Sequence, residues 1–429
     1  MSDRNADLSG FSNASFSTGV AKCDQSQDAS ECKAGKANDD ALSNATRERI
    51  EALTGRPEQE SGLLAGDSGS RSIPADASPC EKRALTLGPT LRRFNRYREA
   101  LPYARAANDV NQLGNEPGGT DSKDCLTRLP NTADELNKEL GLPPGTISDK
   151  DLRDDSTGFR AEMYRDDATG KLILVARDTQ RTSLVDWQTN TRNGEGKDTD
   201  QYAAMRQLSG TLFDNQIPFN VAGYSKGGGL AQEAALINTD AQAYVFNSAG
   251  LHENSLVRTG NRDFSSLESR TRAFSSENDF LTYMNQTTDP EQQIENARFL
   301  RRELEGKNRW VPNPMKIDHR NPQHLDASKD KTFQSDLQSY FQEIDDMIQH
   351  LEADHAAGRP IRSFPPVRAA HQEIILDSDS RTGDFFGAKD NGPNLGKLAQ
   401  HRMSNVLDPM ENNIKNDRNT LESFLKECS

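Results

Sequence analysis

The sequence predicts an α/β fold, a mostly parallel sheet flanked by helices, on three observations. Short, nearly continuous apolar runs at residues 171–176, 217–222, 243–246 and 271–275 have the texture of strands buried on both faces. Stretches of helical spacing separate them, at 200–213 and 230–237. A glycine-rich turn at 223–229 joins one such strand directly to the next helix. Strands alternating with helices bury a parallel sheet between two helical layers.

Taken in order, residues 1–80 are rich in Ser, Ala, Asn, Asp and Gly, with Phe11 and Phe16 as the only aromatics. So few large side chains cannot nucleate a core, and a disordered tail over 1–83 is expected, with one short helix at 44–53. Composition fits a linker and a translocation signal read while unfolded equally well. From residue 84 a folded domain is expected to run to 355. Leu91, Phe94, Tyr97 and Leu101 recur at helical spacing with Arg92, Arg93, Arg96 and Arg98 between them, and a second helix is expected over 102–113. The first of these suits either packing on its own domain or lying on an anionic membrane surface. Residues 159–165 and 171–176, joined by the turn at 166–170, read as a hairpin. A polar helix at 290–305 and one carrying Phe333, Leu337, Phe341, Ile344 and Ile348 follow. Residues 356–429 form an extension closing on a helix at 409–426.

Bulk composition narrows the function. Lys and Arg number 52 against 66 Asp and Glu, a formal charge of −14, so nucleic acid is not expected as a partner. The strongest apolar run, from Leu172 to Ala176, is five residues against the roughly 20 a spanning helix needs. Residues 1–30 lack the apolar stretch of a cleaved secretory signal. Cys23, Cys32, Cys80, Cys125 and Cys428 contain no C-x-x-C pair, and the expectation is incidental thiols in a reducing cytosol, without a disulfide framework or a metal site.

The informative segment is Phe219-Asn220-Val221-Ala222-Gly223-Tyr224-Ser225-Lys226-Gly227-Gly228-Gly229-Leu230: a strand, then G-x-S-x-G, then a helix. In that context the pentapeptide forms a nucleophile elbow, with Gly223 and Gly227 needed where backbone crowds backbone, and with Ser225 lifted at the carboxyl end of the sheet. The helix that follows aims its N-terminal amides at the same place. A phosphate-binding loop fits less well, because Lys226 precedes the glycine run instead of following it.

Several further motifs occur in the order found in one family. Val175-Ala176-Arg177-Asp178-Thr179 is similar to a strand ending in R-G-[ST]; Asp186-Trp187 with Asn190 is similar to D-W-x-x-N. The stretch from Ala243 through Phe246-Asn247-Ser248-Ala249-Gly250-Leu251 is similar to F-N-x-A-G-L, and Ser276-Glu277-Asn278-Asp279 to an N-x-x-D loop. On these residues the chain resembles the class 3 lipases of the α/β-hydrolase fold, over about 103–348. The resemblance implies a Ser-Asp-His triad of Ser225, Asp279 and a later histidine. His324, in a loop before an amphipathic helix, is the first choice, with His319 and His371 as alternatives. His355 and His401 also follow Asp279, and Asp263 and Asp289 fit less well than Asp279 because no strand precedes them. The resemblance further implies an oxyanion hole of the Thr179 and Lys226 amides, and neither metal nor cofactor. Asp178 departs from the family glycine, and Tyr224 and Lys226 from the usual His and Leu.

The expected function is therefore a serine acyl hydrolase, of phospholipase A or acylglycerol lipase type, with membrane lipid as substrate and peripheral membrane contact. Members of this family occur among effectors that plant-associated bacteria inject into host cells, which implies export without a cleaved signal and leaves room for a secretion chaperone at the N-terminus. The contrasting expectation is a catalytically weak lipid- or protein-binding module on the same scaffold, docking through the basic stretches 92–105 and 298–302.

Overall fold

The computed structural model describes residues 29–55, 76–113, 121–180, 183–304, 331–361, 365–375 and 401–428. Its sheet has the strand order β1-β2-β4-β5-β6-β7-β8-β9, with β3 paired to β4. These strands are β1 (Asp121–Lys123), β2 (Leu126–Arg128), β3 (Arg153–Asp154), β4 (Phe159–Asp166), β5 (Leu172–Ala176), β6 (Phe219–Tyr224), β7 (Ala243–Phe246), β8 (Thr271–Ser276) and β9 (Gln372–Ile375). Pairing is antiparallel from β1 to β5 and parallel from β5 to β9. Strands β5 to β8 were legible because they are buried along almost their whole length, whereas β9, only partly buried, falls in the extension that was read without a strand. The three short strands β1–β3 carry no such run.

Thirteen helices are described: α1 (Ala29–Thr54), α2 (Pro79–Gln112), α3 (Ala133–Glu139), α4 (Asp149–Leu152), α5 (Leu184–Gly194), α6 (Asp200–Asp214), α7 (Lys226–Ile237), α8 (Asn254–Thr259), α9 (Ser265–Arg270), α10 (Phe280–Gln286), α11 (Pro290–Leu304), α12 (Lys331–Ala356) and α13 (Ser404–Glu427). On one face of the sheet α2 and α13 enclose a core with Leu91, Phe94, Tyr97, Phe246, Phe274, Val406 and Phe424. On the other, α6 and α7 pack Met205, Leu208, Leu230 and Ala234 against Leu174, Val221 and Val245. A satellite cluster joins α5, α11 and α12 through Leu184, Ile294, Tyr340 and Ile344.

The structure corrects the sequence reading in four places. The helix expected at 44–53 spans Ala29–Thr54 and buries Cys32, Ser43, Thr46 and Ile50; of the rest of the expected tail over 1–83, residues 1–28 and 56–75 lie outside the described residues and 79–83 open α2. Four cysteines are paired, Cys32 with Cys125 and Cys80 with Cys428, at sequence separations that give no local spacing signal; Cys23 lies outside the described residues. The helices expected on either side of Pro102 are one, α2, opened by a Ser78–Glu81 capping box and running through Pro89 and Pro102. Burial of its Leu87, Leu91, Phe94 and Tyr97 side outweighs the broken hydrogen bonds. Finally, residue 355 is no packing boundary, since α13 shares one core with α2 and the sheet.

The basic stretches are satisfied internally. Arg93 pairs with Asp417, Arg96 with Glu373, Arg98 with Asp40 and Arg105 with Glu411. Arg298, Arg301 and Arg302 pair with Glu352, Asp345 and Glu295. The apolar side of α2 lies in the core, which removes the membrane-surface reading of that helix. No helix among the described residues is long and apolar enough to cross a membrane.

Candidate active site

β6 ends at Tyr224, Ser225 follows with φ 54° and ψ −123°, and α7 begins at Lys226. A non-glycine residue at that φ is strained and persists only where the surroundings impose it. They do so here by close approach: a Cβ on Gly223 would collide with the Gly227 carbonyl, and one on Gly227 with the Ala176 carbonyl of β5. The glycine-rich turn expected at 223–229 is thus the end of a strand and the first turn of a helix.

Ser225 Oγ lies 2.8 Å from His401 Nε2, and His401 Nδ1 lies 2.6 Å from Asp279 Oδ1. Asp279 follows β8, is almost fully buried, and caps α10 by accepting the Thr282 amide on Oδ2 at 2.6 Å. One carboxylate oxygen is therefore fixed by the backbone while the other meets the imidazole. The strand ends that carry this loop are locked together. Asn247, after β7, accepts the Ser276 amide at 2.8 Å and donates to the Ser276 hydroxyl at 3.2 Å.

His401 immediately precedes α13, and the elbow itself holds it. The Tyr224 hydroxyl donates to the His401 carbonyl at 2.6 Å, and the two rings stack with centroids 5.2 Å apart. Tyr224, which departs from the usual family His, supports the imidazole.

On the other side of Ser225 lies the segment after β5. Asp178 lies against this side of the site: the Lys226 amide donates to its Oδ1 at 3.3 Å. Burial pushes the Asp178 carboxyl above its ordinary value, opposed by His401, the Thr179 amide and the Lys226 ammonium. A carboxylate thus sits on the Lys226 amide, one of the two amides that were expected to receive an oxyanion. Asn190 donates to the Thr179 hydroxyl at 2.9 Å.

Ser225, Asp279, Thr179, Lys226, Gly223 and Gly227 are brought together as expected of one site. The histidine differs. His324 and His319 lie outside the described residues, His371 leads into β9, and the ring between Ser225 and Asp279 belongs to His401. The signal that could have found it is weak: a histidine shortly before an amphipathic helix describes His401 and α13 as well as it describes His324 and α12. Asp263 and Asp289 each cap local backbone, at Ser265 and Gln292, far in role from the imidazole.

Residues 103–306 match a phospholipase-like family, described as the Tle-like phospholipase domain. The likeness covers a little under half of the chain. The chain is also 34% identical over 125 residues to the extracellular phospholipase A1 of Serratia liquefaciens, an alignment covering 28% of this chain and 35% of that protein. The chain thus spans about a third of the length of that curated relative. Both likenesses support a lipid ester hydrolase. The matched segment contains Thr179, Ser225, Lys226 and Asp279, while His401 lies beyond its C-terminal limit.

Proposed function

We propose that the protein is a serine-dependent phospholipase, cleaving carboxylic esters of membrane phospholipid, with Ser225, His401 and Asp279 as its triad. The observation that carries this is the imidazole of His401, bonded on one side to Ser225 and on the other to a buried carboxylate. His401 Nε2 takes the Ser225 proton as Oγ attacks the ester carbonyl, and Asp279 stabilises the imidazolium that results. The tetrahedral oxyanion is held by the amides of Lys226 and Thr179 once Asp178 has yielded the first of them. The imidazolium protonates the departing alcohol, and water activated by the same ring releases the acyl enzyme.

Action outside the producing cell, with delivery into a target cell, is part of this proposal. Two disulfides support it, since such bonds form and persist in oxidising surroundings, and so does the extracellular relative. Fatty acid release from phosphatidylcholine vesicles tests the catalytic reading. Wild-type protein should release it, and Ser225→Ala and His401→Ala should each lose roughly 10⁴-fold or more. Equal release by all three would overturn the proposal. A second reading, a catalytically weak lipid-binding module, is favoured by Asp178 on one oxyanion donor; stoichiometric labelling of Ser225 by a fluorophosphonate would exclude it.

A further inference from the structure

The ion pair Lys226–Asp186 is almost completely out of water, with the two side chains 2% and 0% exposed and 2.5 Å between Nζ and Oδ1. Such a pair seldom adds net stability over apolar side chains of the same volume, because desolvation opposes the attraction. What it does give is one geometry, provided the surrounding hydrogen bonds are complete. Here they are. Gln201 accepts from Lys226 Nζ at 2.7 Å, donates to Asp186 Oδ1 at 2.6 Å and donates to the Thr157 carbonyl at 2.7 Å. Burial pulls the Lys226 ammonium down, and Asp186 opposes that shift.

The connections of this pair are to the two arms of the oxyanion hole. Lys226 supplies one arm itself, since its own amide follows the nucleophile. The other arm is the segment through Thr179, and Asp186 Oδ2 accepts the amide of the next residue, Gln180, at 2.6 Å. A single carboxylate therefore ties both arms. The same segment is pinned at its neighbours, with the Asp178 amide donating to Asn111 at 2.8 Å and the Thr179 hydroxyl held by Asn190 at 2.9 Å. The backbone leaves room for the network: Gly158, at φ +73°, passes so close that a Cβ there would lie 2.9 Å from Asp186 Oδ1 and 3.1 Å from Gln201 Nε2.

We propose that Lys226 and Asp186 are positioning residues, an ionic strut that sets the separation of the Lys226 and Thr179 amides so that both reach one oxyanion. The inference rests on the acyl-transfer reading above. Misplacing a group by about 1 Å lowers a rate by about 10²-fold, the scale of losing one oxyanion donor. The strut acts on the reacting oxygen and leaves the lipid-binding surfaces alone.

The test uses the full chain as wild type, as Asp186→Asn and as the paired apolar replacement K226L/D186L. Turnover of a short-chain p-nitrophenyl ester, inhibition by a trifluoromethyl ketone and the melting temperature are measured for each. The ketone is captured by Ser225 as a tetrahedral oxyanion, so its affinity reports the hole. The paired variant is expected to fold, to lose about 10²-fold in kcat with KM within about twofold, and to lose ketone affinity in the same proportion. Asp186→Asn, which keeps an acceptor for the Gln180 amide, should lose about tenfold in both. Wild-type kcat and ketone affinity in the folded paired variant would overturn the proposal, as would a loss confined to KM or to melting temperature. Should the paired variant fail to fold, Asp186→Asn decides by the same criteria. A wild-type protein that neither turns over the ester nor reacts with a fluorophosphonate at Ser225 would instead refute the acyl-transfer reading, and the strut with it.

Discussion

Tyr224 grips His401 by both its hydroxyl and its ring, at 2.6 Å to the carbonyl oxygen and 5.2 Å between ring centroids. Because Tyr224 adjoins Ser225, the strand end that carries Ser225 also fixes the imidazole beside it. Two groups 176 residues apart in sequence are thereby referred to one short piece of backbone.

Tyr224→Phe keeps the stacked ring and removes the hydrogen bond, a change worth about 1 kcal/mol. kcat should fall about fivefold with KM unchanged, read on a soluble ester so that lipid packing plays no part. Loss in KM alone would show that Tyr224 serves substrate binding instead.

His401→Ala and His371→Ala separate the ring at the site from the histidine that the sequence also nominated. The first should lose at least roughly 10⁴-fold in kcat, the scale seen on removing a triad member. The second should keep wild-type turnover, since His371 stands at the head of β9 and makes no bond to Ser225 or Asp279. Steady-state kinetics on both variants gives the answer.

Reduction of Cys80–Cys428 should disable the site before the fold melts. That bond staples the end of α13 to the start of α2, and α13 is the element His401 leads into. Removing a native disulfide costs about 2–5 kcal/mol. C80S/C428S should therefore lose activity at temperatures where circular dichroism still reports native helix. C32S/C125S, which frees α1 from the loop before β2, should lower the melting temperature while sparing turnover at low temperature.

Asp178→Asn should alter the pH dependence. Burial raises the Asp178 carboxyl above 3.8, so its stabilising protonated form is fully present below that pH, and stability is lost as pH rises through the raised folded value. Over the same rise the ionised carboxylate takes the Lys226 amide away from an incoming oxyanion. The variant should gain stability above this window and lose the fall in kcat that this ionisation causes. A wild-type pH profile unchanged in Asp178→Asn would show that the carboxylate leaves the hole freely. His401 and the Lys226 ammonium, which both act on Asp178, are present in both proteins.

The elements read correctly from sequence are those whose signal is local. β6, β7 and β8 are apolar runs, α6 and α12 are periodic, and the elbow needs Gly223 and Gly227 at fixed offsets from Ser225 because backbone atoms fill the space where side chains would begin. Asp279 was legible for the same reason: it follows a strand end within a short motif. The single long helix α2 was not, since Pro102 reads as a break unless the core beneath it is known.

Sequence by itself determined strands β4 to β8, the tight turn that carries Ser225 and the strand-end place of Asp279, since each depends on contacts a few residues apart or on a repeating pattern. Tertiary structure alone decided the rest. His401 is 176 residues from Ser225, and it is chosen by how α13 docks on α2 through a buried core, Arg93–Asp417 and Cys80–Cys428. Asp178 sits on one of the oxyanion donors, and Lys226 reaches Asp186 across 40 residues, because the strand order sets β5 beside β6. Long-range pairings of this kind are fixed by packing and charge in three dimensions, and no spacing along the chain records them.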